Sequence, residues 1–263
     1  MREISFFAAL LVIPFAVASY ITINAQLPEI FLNDKTADAK FVLSNTGDEP
    51  AFSVQTSVKS ANAEFPTLFT AKLEPNQQVD TFFTVNLTKE LLPGRYPVAI
   101  ITEYTDANNY PFSAVSTSYL VYKERTSSEI SSFLEDVKVP KGGKAGIKLK
   151  IINRDSGGRN AKIDFFVPKE LFAGGYNKNV SLRPGEQKTV DAEISSLSAL
   201  QGSTYTIFAT VEYEDSGKHY SSFSRGLVNI TNDAGLFSNI TIAAAVLVLI
   251  AAVAARNFQT RKR

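Results

Sequence analysis

A single histidine, His219, is the one side chain among 263 residues whose ordinary titration falls near neutrality, and the sequence contains no cysteine. Catalysis at neutral pH calls for a proton donor or acceptor and a nucleophile held beside it. His219 stands just after the turn-like run Glu214-Asp-Ser-Gly-Lys218, at the start of a predicted strand, and reads as a structural or solvent-facing residue of a hairpin edge. No Gly-x-Ser-x-Gly, phosphate-cradling glycine loop or His-Glu-x-x-His accompanies it. Lys141-Gly-Gly-Lys144 has the composition of a turn between strands. Glu103 and Asp106, and in the second half Glu212, Glu214 and Asp215, are oxygen donors without the supporting loop of a calcium site. The expectation is therefore a non-enzyme with no catalytic residue, no cofactor and no metal.

Other residue patterns point to modification and contact. Asn86, Asn179 and Asn229 each open an Asn-x-Ser/Thr sequon and are candidate glycosylation sites, whereas the sequon at Asn239 falls inside an apolar run. Asn86 is the best placed of these, because strand alternation turns it away from the core. Phe172 and Tyr176 flank Gly174-Gly175 between predicted strands, where exposed rings serve recognition, and they are the candidate partner contact. The competing reading folds both rings back as a cap on the domain.

The elements that position these residues lie between two targeting segments. Arg2 precedes the apolar run 4–18, and Ala16-Val-Ala18 offers the small-x-small pattern of a cleaved signal, with Ile23-Asn-Ala25 as a second site. Retention of this segment as an anchor is the alternative. Residues 236–255 have the length and composition of a membrane helix, and the tail 256–263 carries four basic residues and no acid, which places it in the cytoplasm by the positive-inside tendency. The reading is a single-pass type I cell-membrane protein with its body outside. Residues 26–235 hold 22 basic and 25 acidic side chains, a mildly acidic surface that gives no footprint for nucleic acid.

Between the ends, the sequence repeats every 108 to 109 residues. Phe41-Val-Leu-Ser-Asn45 corresponds to Leu149-Lys-Ile-Ile-Asn153, Leu73-Glu-Pro-Asn-Gln77 to Leu182-Arg-Pro-Gly-Glu186, and Tyr96, Tyr104 and Asp106 to Tyr205, Tyr213 and Asp215. Within each copy the apolar period is two: Phe52, Val54, Thr56 and Val58; Val79, Thr81, Phe83 and Val85; Tyr205, Ile207, Ala209 and Val211. About seven short strands per hundred residues, separated by turn signals, make an all-β pattern of two tandem immunoglobulin-like β-sandwiches. The predicted organisation is a signal peptide over 1–25, one sandwich over 26–124, a polar linker over 125–132, a second sandwich over 133–232, a transmembrane helix over 236–255 and a basic tail over 256–263. A linker this short restricts the two domains without making them rigid.

The Asn-led turn, Leu182-Arg-Pro-Gly-Glu186, Pro93-Gly-Arg-Tyr96 and the Tyr-x-Asp hairpins resemble the extracellular immunoglobulin-like domains of the CARDB and NPCBM-associated type. These occur in tandem on archaeal and bacterial S-layer-like surface proteins. The chain also resembles, more weakly, the lumenal domain of the alpha subunit of the translocon-associated protein complex, which has one such domain where this sequence has two. The first resemblance implies a membrane-anchored surface module whose partner is an envelope protein or glycan. The second implies an accessory subunit of a translocon or transporter.

Overall fold

The alternating segments fold as strands in the computed structural model, which describes residues 20–232, and no helix occurs among those residues. The first half contains β1 (Ile23–Gln26), β2 (Ile30–Leu32), β3 (Thr36–Asn45), β4 (Ala51–Lys59), β5 (Ala63–Glu64), β6 (Leu68–Leu73), β7 (Gln78–Leu87), β8 (Gly94–Thr105) and β9 (Pro111–Tyr122). The second contains β10 (Ile130–Leu134), β11 (Val137–Pro140), β12 (Lys144–Asn153), β13 (Arg159–Phe166), β14 (Leu171–Gly174), β15 (Asn179–Leu182), β16 (Gln187–Ser196), β17 (Thr204–Asp215) and β18 (Lys218–Thr231).

The internal repeat is reproduced strand for strand. In the first half β1-β3-β7-β5 form one sheet, and β6-β4-β8-β9-β2 form the facing one, with β2 parallel to β9. In the second half β10-β12-β16-β14 and β15-β13-β17-β18-β11 repeat that order, with β11 parallel to β18. Each pair of sheets encloses its own apolar core, around Phe41, Leu73 and Ile100 in one half and around Leu149, Ile163 and Ile207 in the other. The architecture is all-β and sandwich-like.

The repeated polar residues turn out to be structural clamps. Asn45 and Asn153 are both fully buried. The Nδ2 of Asn153 donates to the carbonyls of Gly157 at 2.8 Å and Arg183 at 3.1 Å, and its Oδ1 accepts from the amide of Asp155 at 3.1 Å. The Nδ2 of Asn45 donates to Glu49 O at 2.7 Å and Leu73 O at 3.3 Å, and its Oδ1 accepts from Gly47 N at 3.0 Å. In the Pro turns that follow, Asn76 and Gly185 take the same left-handed conformation at φ 60° and 68°. There the side chains of Gln77 and Glu186 accept from the amides of Glu74 and Arg183, at 2.7 and 2.6 Å. The repeated tyrosines anchor to the chain just upstream: Tyr96 OH donates to Leu92 O at 2.7 Å, and Tyr205 OH accepts from Leu200 N at 3.2 Å. These are the local contacts of a tyrosine corner.

Three sequence expectations shift. The even-numbered face proposed for β4 holds for Val54 and Thr56 but not for Phe52. Ser53 adopts φ 49° and the register against β8 slips between Phe52 and Gln55, so Ala51 enters the core and Phe52 turns outward under Lys72. A bulge adds one residue and inverts the alternation on one side of it. Second, β1 starts at Ile23, within 1–25, and pairs Ile23 with Asn45. Third, β10 starts at Ile130, within 125–132, and Ile130 is buried in the second core. Both are short edge strands of four and five residues, a length over which a period of two does not stand out from the flanking chain. The apolar run 4–18, the predicted membrane segment 236–255, the basic tail and Asn239 lie outside the described residues. No helix among the described residues is long and apolar enough to cross a membrane.

Candidate functional site

Strand β8 is buried on both faces. Tyr96, Val98 and Ile100 point into the first core, while Pro97 and Ala99 on the opposite face are equally covered. On β9 the outward residues Ser113, Val115 and Val121 are buried too, outside either core cluster. The cover is the second sandwich. Tyr119 stacks on Phe223 with ring centroids 4.5 Å apart, and the Arg95 guanidinium lies 3.6 Å from the centroid of the same Tyr119 ring. Burial raises the Tyr119 phenol above its usual range.

One end of this seam is closed by main-chain contacts. Gly94 and His219 form a parallel pair between β8 and β18, and a Cβ on Gly94 would stand 2.1 Å from His219 O. Thr126 bridges the same point: its Oγ1 donates to His219 O at 2.6 Å and accepts from Arg95 N at 3.2 Å. Ser221 Oγ donates to Arg95 O at 2.7 Å. His219 is 7% exposed, its ring stacked 4.0 Å from Tyr96 and its Nε2 3.2 Å from a Glu212 oxygen. Both ring nitrogens lack a well-aligned hydrogen bond. The Tyr96 phenol is raised, chiefly by burial and next by the carboxylate of Glu214. The expectation of a hairpin-edge histidine is thus met only in its structural form: the residue is a packing element of the seam, while its repeat counterpart Tyr110 is exposed.

At the other end, Glu170 is buried and accepts from Ser113 Oγ, while Lys169 N donates to the same hydroxyl at 2.9 Å and Lys169 Nζ pairs with Glu103 at 3.1 Å. Burial pushes the nearby Tyr104 phenol up to about 12, with the Glu170 carboxylate as a secondary cause. Beside the seam, the two sandwiches bound an open cleft of about 1470 Å³, with Lys59, Asn62 and Leu92 on one wall and Lys162, Asn179 and Glu212 on the other. Polar groups of both signs line it, so it suits a polar occupant.

The acidic oxygen donors Asp106, Glu212, Glu214 and Asp215 are engaged in local contacts. Asp106 Oδ1 accepts from Asn108 N and Tyr110 N, both at 2.8 Å; Asp215 pairs with Arg159 at 3.2 Å; Glu212 and Glu214 flank His219. Among the described residues no group of three such side chains is arranged to hold a metal ion.

The structure separates the predicted aromatic pair. Phe172 lies on β14 and is 57% exposed, whereas Tyr176 is half-buried and meets Phe165 edge-on at 4.8 Å. Tyr176 is therefore a cap and Phe172 alone is presented to solvent. Asn86 and Asn179 are exposed. Asn229 is half-buried and its Oδ1 accepts from Thr204 Oγ1 at 2.7 Å. Sequence reasoning missed the seam. Its only trace was the run Pro97 to Ile101, apolar at consecutive positions where a half-buried strand alternates.

No family model matches this sequence, and no curated protein matches it. Solved structures give distant likenesses. Alpha-2-macroglobulin of Escherichia coli activated by porcine elastase is 11% identical with a TM-score of 0.33, over 82% of this chain and 22% of that one. A PapD-like domain of human CEP192 is 9% identical with a TM-score of 0.32, over 43% of this chain and 94% of that one. A protein of unknown function from Porphyromonas gingivalis W83 is 10% identical with a TM-score of 0.34, over 79% and 99%. The chain thus spans about a fifth of the first of these.

Proposed function

We propose that this chain is an exported, membrane-anchored, non-catalytic module whose two immunoglobulin-like sandwiches act as one binding body for an envelope protein or glycan. The observation that carries this reading is the seam. It joins two copies of one fold by their outer faces into a single block with a polar cleft between them. A buried joint of that kind stiffens the molecule and fixes the spacing of two surfaces, which suits a positioning role. The anchoring part rests on the apolar composition of 236–255 and the basic tail. The resemblance to CARDB-type surface domains supports the same placement.

The test is labelling of intact cells with a membrane-impermeant amine reagent. Exposed lysines such as Lys72 and Lys144 are expected to react in whole cells, and Lys262 only after lysis. Protection of Lys72 and Lys144 in whole cells overturns the topology. Crosslinking in the same cells then identifies the envelope partner.

A further inference from the structure

The strand directions place both described chain ends at one end of the molecule. Because β8 and β18 run parallel at the Gly94–His219 contact, the hairpin that follows Thr105 and the end of β18 at Thr231 lie on the same side of the body. Direct contacts agree. Tyr110 OH approaches Ser198 O at 3.5 Å, Gly202 N donates to Ile230 O at 2.9 Å, and Lys141 N donates to Thr231 O at 3.1 Å. The entering segment Tyr20–Ile23 and the second-half segment Ser203–Thr206 border one cavity of about 620 Å³. The linker, Thr126 and His219 occupy the opposite end.

At the shared end, large apolar side chains face solvent: Tyr20 at 57%, Tyr110 at 38% and Leu197 at 63% exposure. They are held there by the fold. Leu197 N donates to Glu170 O at 2.8 Å, Tyr110 N donates to Asp106 Oδ1 at 2.8 Å, and Tyr20 N donates to Asp48 Oδ1 at 2.7 Å. Lys141 is exposed beside them, and Phe172, opposite Ser195, sits one residue pair along β14 and β16 from the Leu171–Ser196 pair at the same rim. Tyrosine rings with apolar faces and polar tips favour the depth of lipid headgroups, and a lysine stem tolerates the same boundary. Asp48, Glu49 and Asp106 also lie at this end, with Asp48 and Asp106 accepting backbone amides, so the fitting surface is a zwitterionic bilayer without net negative charge.

We propose that this end, presenting Tyr20, Tyr110, Leu197 and Lys141, is a lipid-contacting surface that seats the two-sandwich body directly on the bilayer. The proposal rests on the membrane-anchored reading above, and it adds that both sandwiches stand side by side on the membrane with the linker farthest from it.

The chain has no tryptophan, so single substitutions report one place each. Full-length Leu197→Trp, Tyr110→Trp and, as a control on an exposed sheet face, Phe82→Trp are reconstituted into phosphatidylcholine vesicles. The vesicles are floated and then compared with vesicles brominated on the acyl carbons next to the headgroup. The expected result is loss of most emission from Leu197→Trp and Tyr110→Trp, with Phe82→Trp retaining its emission. Floating protein in which all three variants keep their emission overturns the lipid contact while leaving the anchor intact. The same holds if the first two are shielded from aqueous iodide without being quenched by bromine, which points to a protein neighbour. Protein that fails to float overturns the contact together with the anchored reading.

Discussion

Asn153 illustrates how a residue with polar chemistry is spent on architecture. It is fully buried, and its side-chain amide satisfies the Gly157 carbonyl and the Asp155 amide in the turn that joins β12 to β13 and the Arg183 carbonyl in the turn between β15 and β16. Truncation leaves these groups buried without partners, and an unsatisfied buried group costs more than a bond exchanged with water. Asn153→Ala is therefore expected to lower unfolding stability by about 2–3 kcal/mol, the sum of incompletely rescued partners. Urea unfolding measures this, and a loss within error of zero would show that water replaces the side chain. Asn45 occupies the same geometry in the first half, so duplication preserved a clamp and not a catalytic group. His219 diverged instead. Where its repeat counterpart Tyr110 stays exposed, the imidazole is enclosed by Tyr96, Glu212 and the neighbouring sandwich.

At the level of strands, the decisive feature is β8, which serves as a core strand for its own sandwich and as a landing surface for the other. Its first residue, Gly94, has φ 152° and no room for a side chain against His219 O. Adding a methyl group there forces the main chains of β8 and β18 apart, because a backbone atom cannot swing aside as a flexible side-chain tip does. Gly94→Ala is expected to loosen the seam without unfolding either sandwich. Limited trypsin digestion at Lys123 and Arg125 reads the change as faster linker cleavage, with β-sheet circular dichroism unchanged. Equal cleavage rates in both proteins would mean that this contact does not hold the halves together. The bulge at Ser53 shows a second way in which one residue alters an element, by turning Phe52 out and Ala51 in.

For the whole molecule, the seam sets what each half can do alone. Each sandwich has a complete core, so residues 20–128 produced alone are expected to fold as a β-rich unit. That fragment exposes Ala99, Val115, Val121 and the Tyr119 ring, all covered in the intact protein. Newly bared apolar surface favours association and hydrophobic dye binding. The expected outcome is a cooperative unfolding transition at lower temperature than in the full body, with increased dye binding. An unchanged melting temperature and no dye binding would indicate that the seam contributes nothing to stability.

The sequence alone carried the duplication, the all-β class, the position of most strands and the residues of the repeated turns. These depend on local patterns: period-two alternation, Pro-Gly and Asn turns, and the matching of one copy against the other. It also presented Phe172 and Tyr176 as equals, since nothing local distinguishes a ring that meets Phe165 from one that meets water. The limits of β1 and β10 escaped it because an edge strand of four or five residues is too short to be recognised without its partner. Only the tertiary structure decided that the two sandwiches lie side by side, that His219 and Glu170 are enclosed, and that both described ends meet at one rim. Those facts arise from contacts between residues far apart in the chain, such as Gly94 with His219 and Ser113 with Glu170, and such pairings leave no period in the sequence.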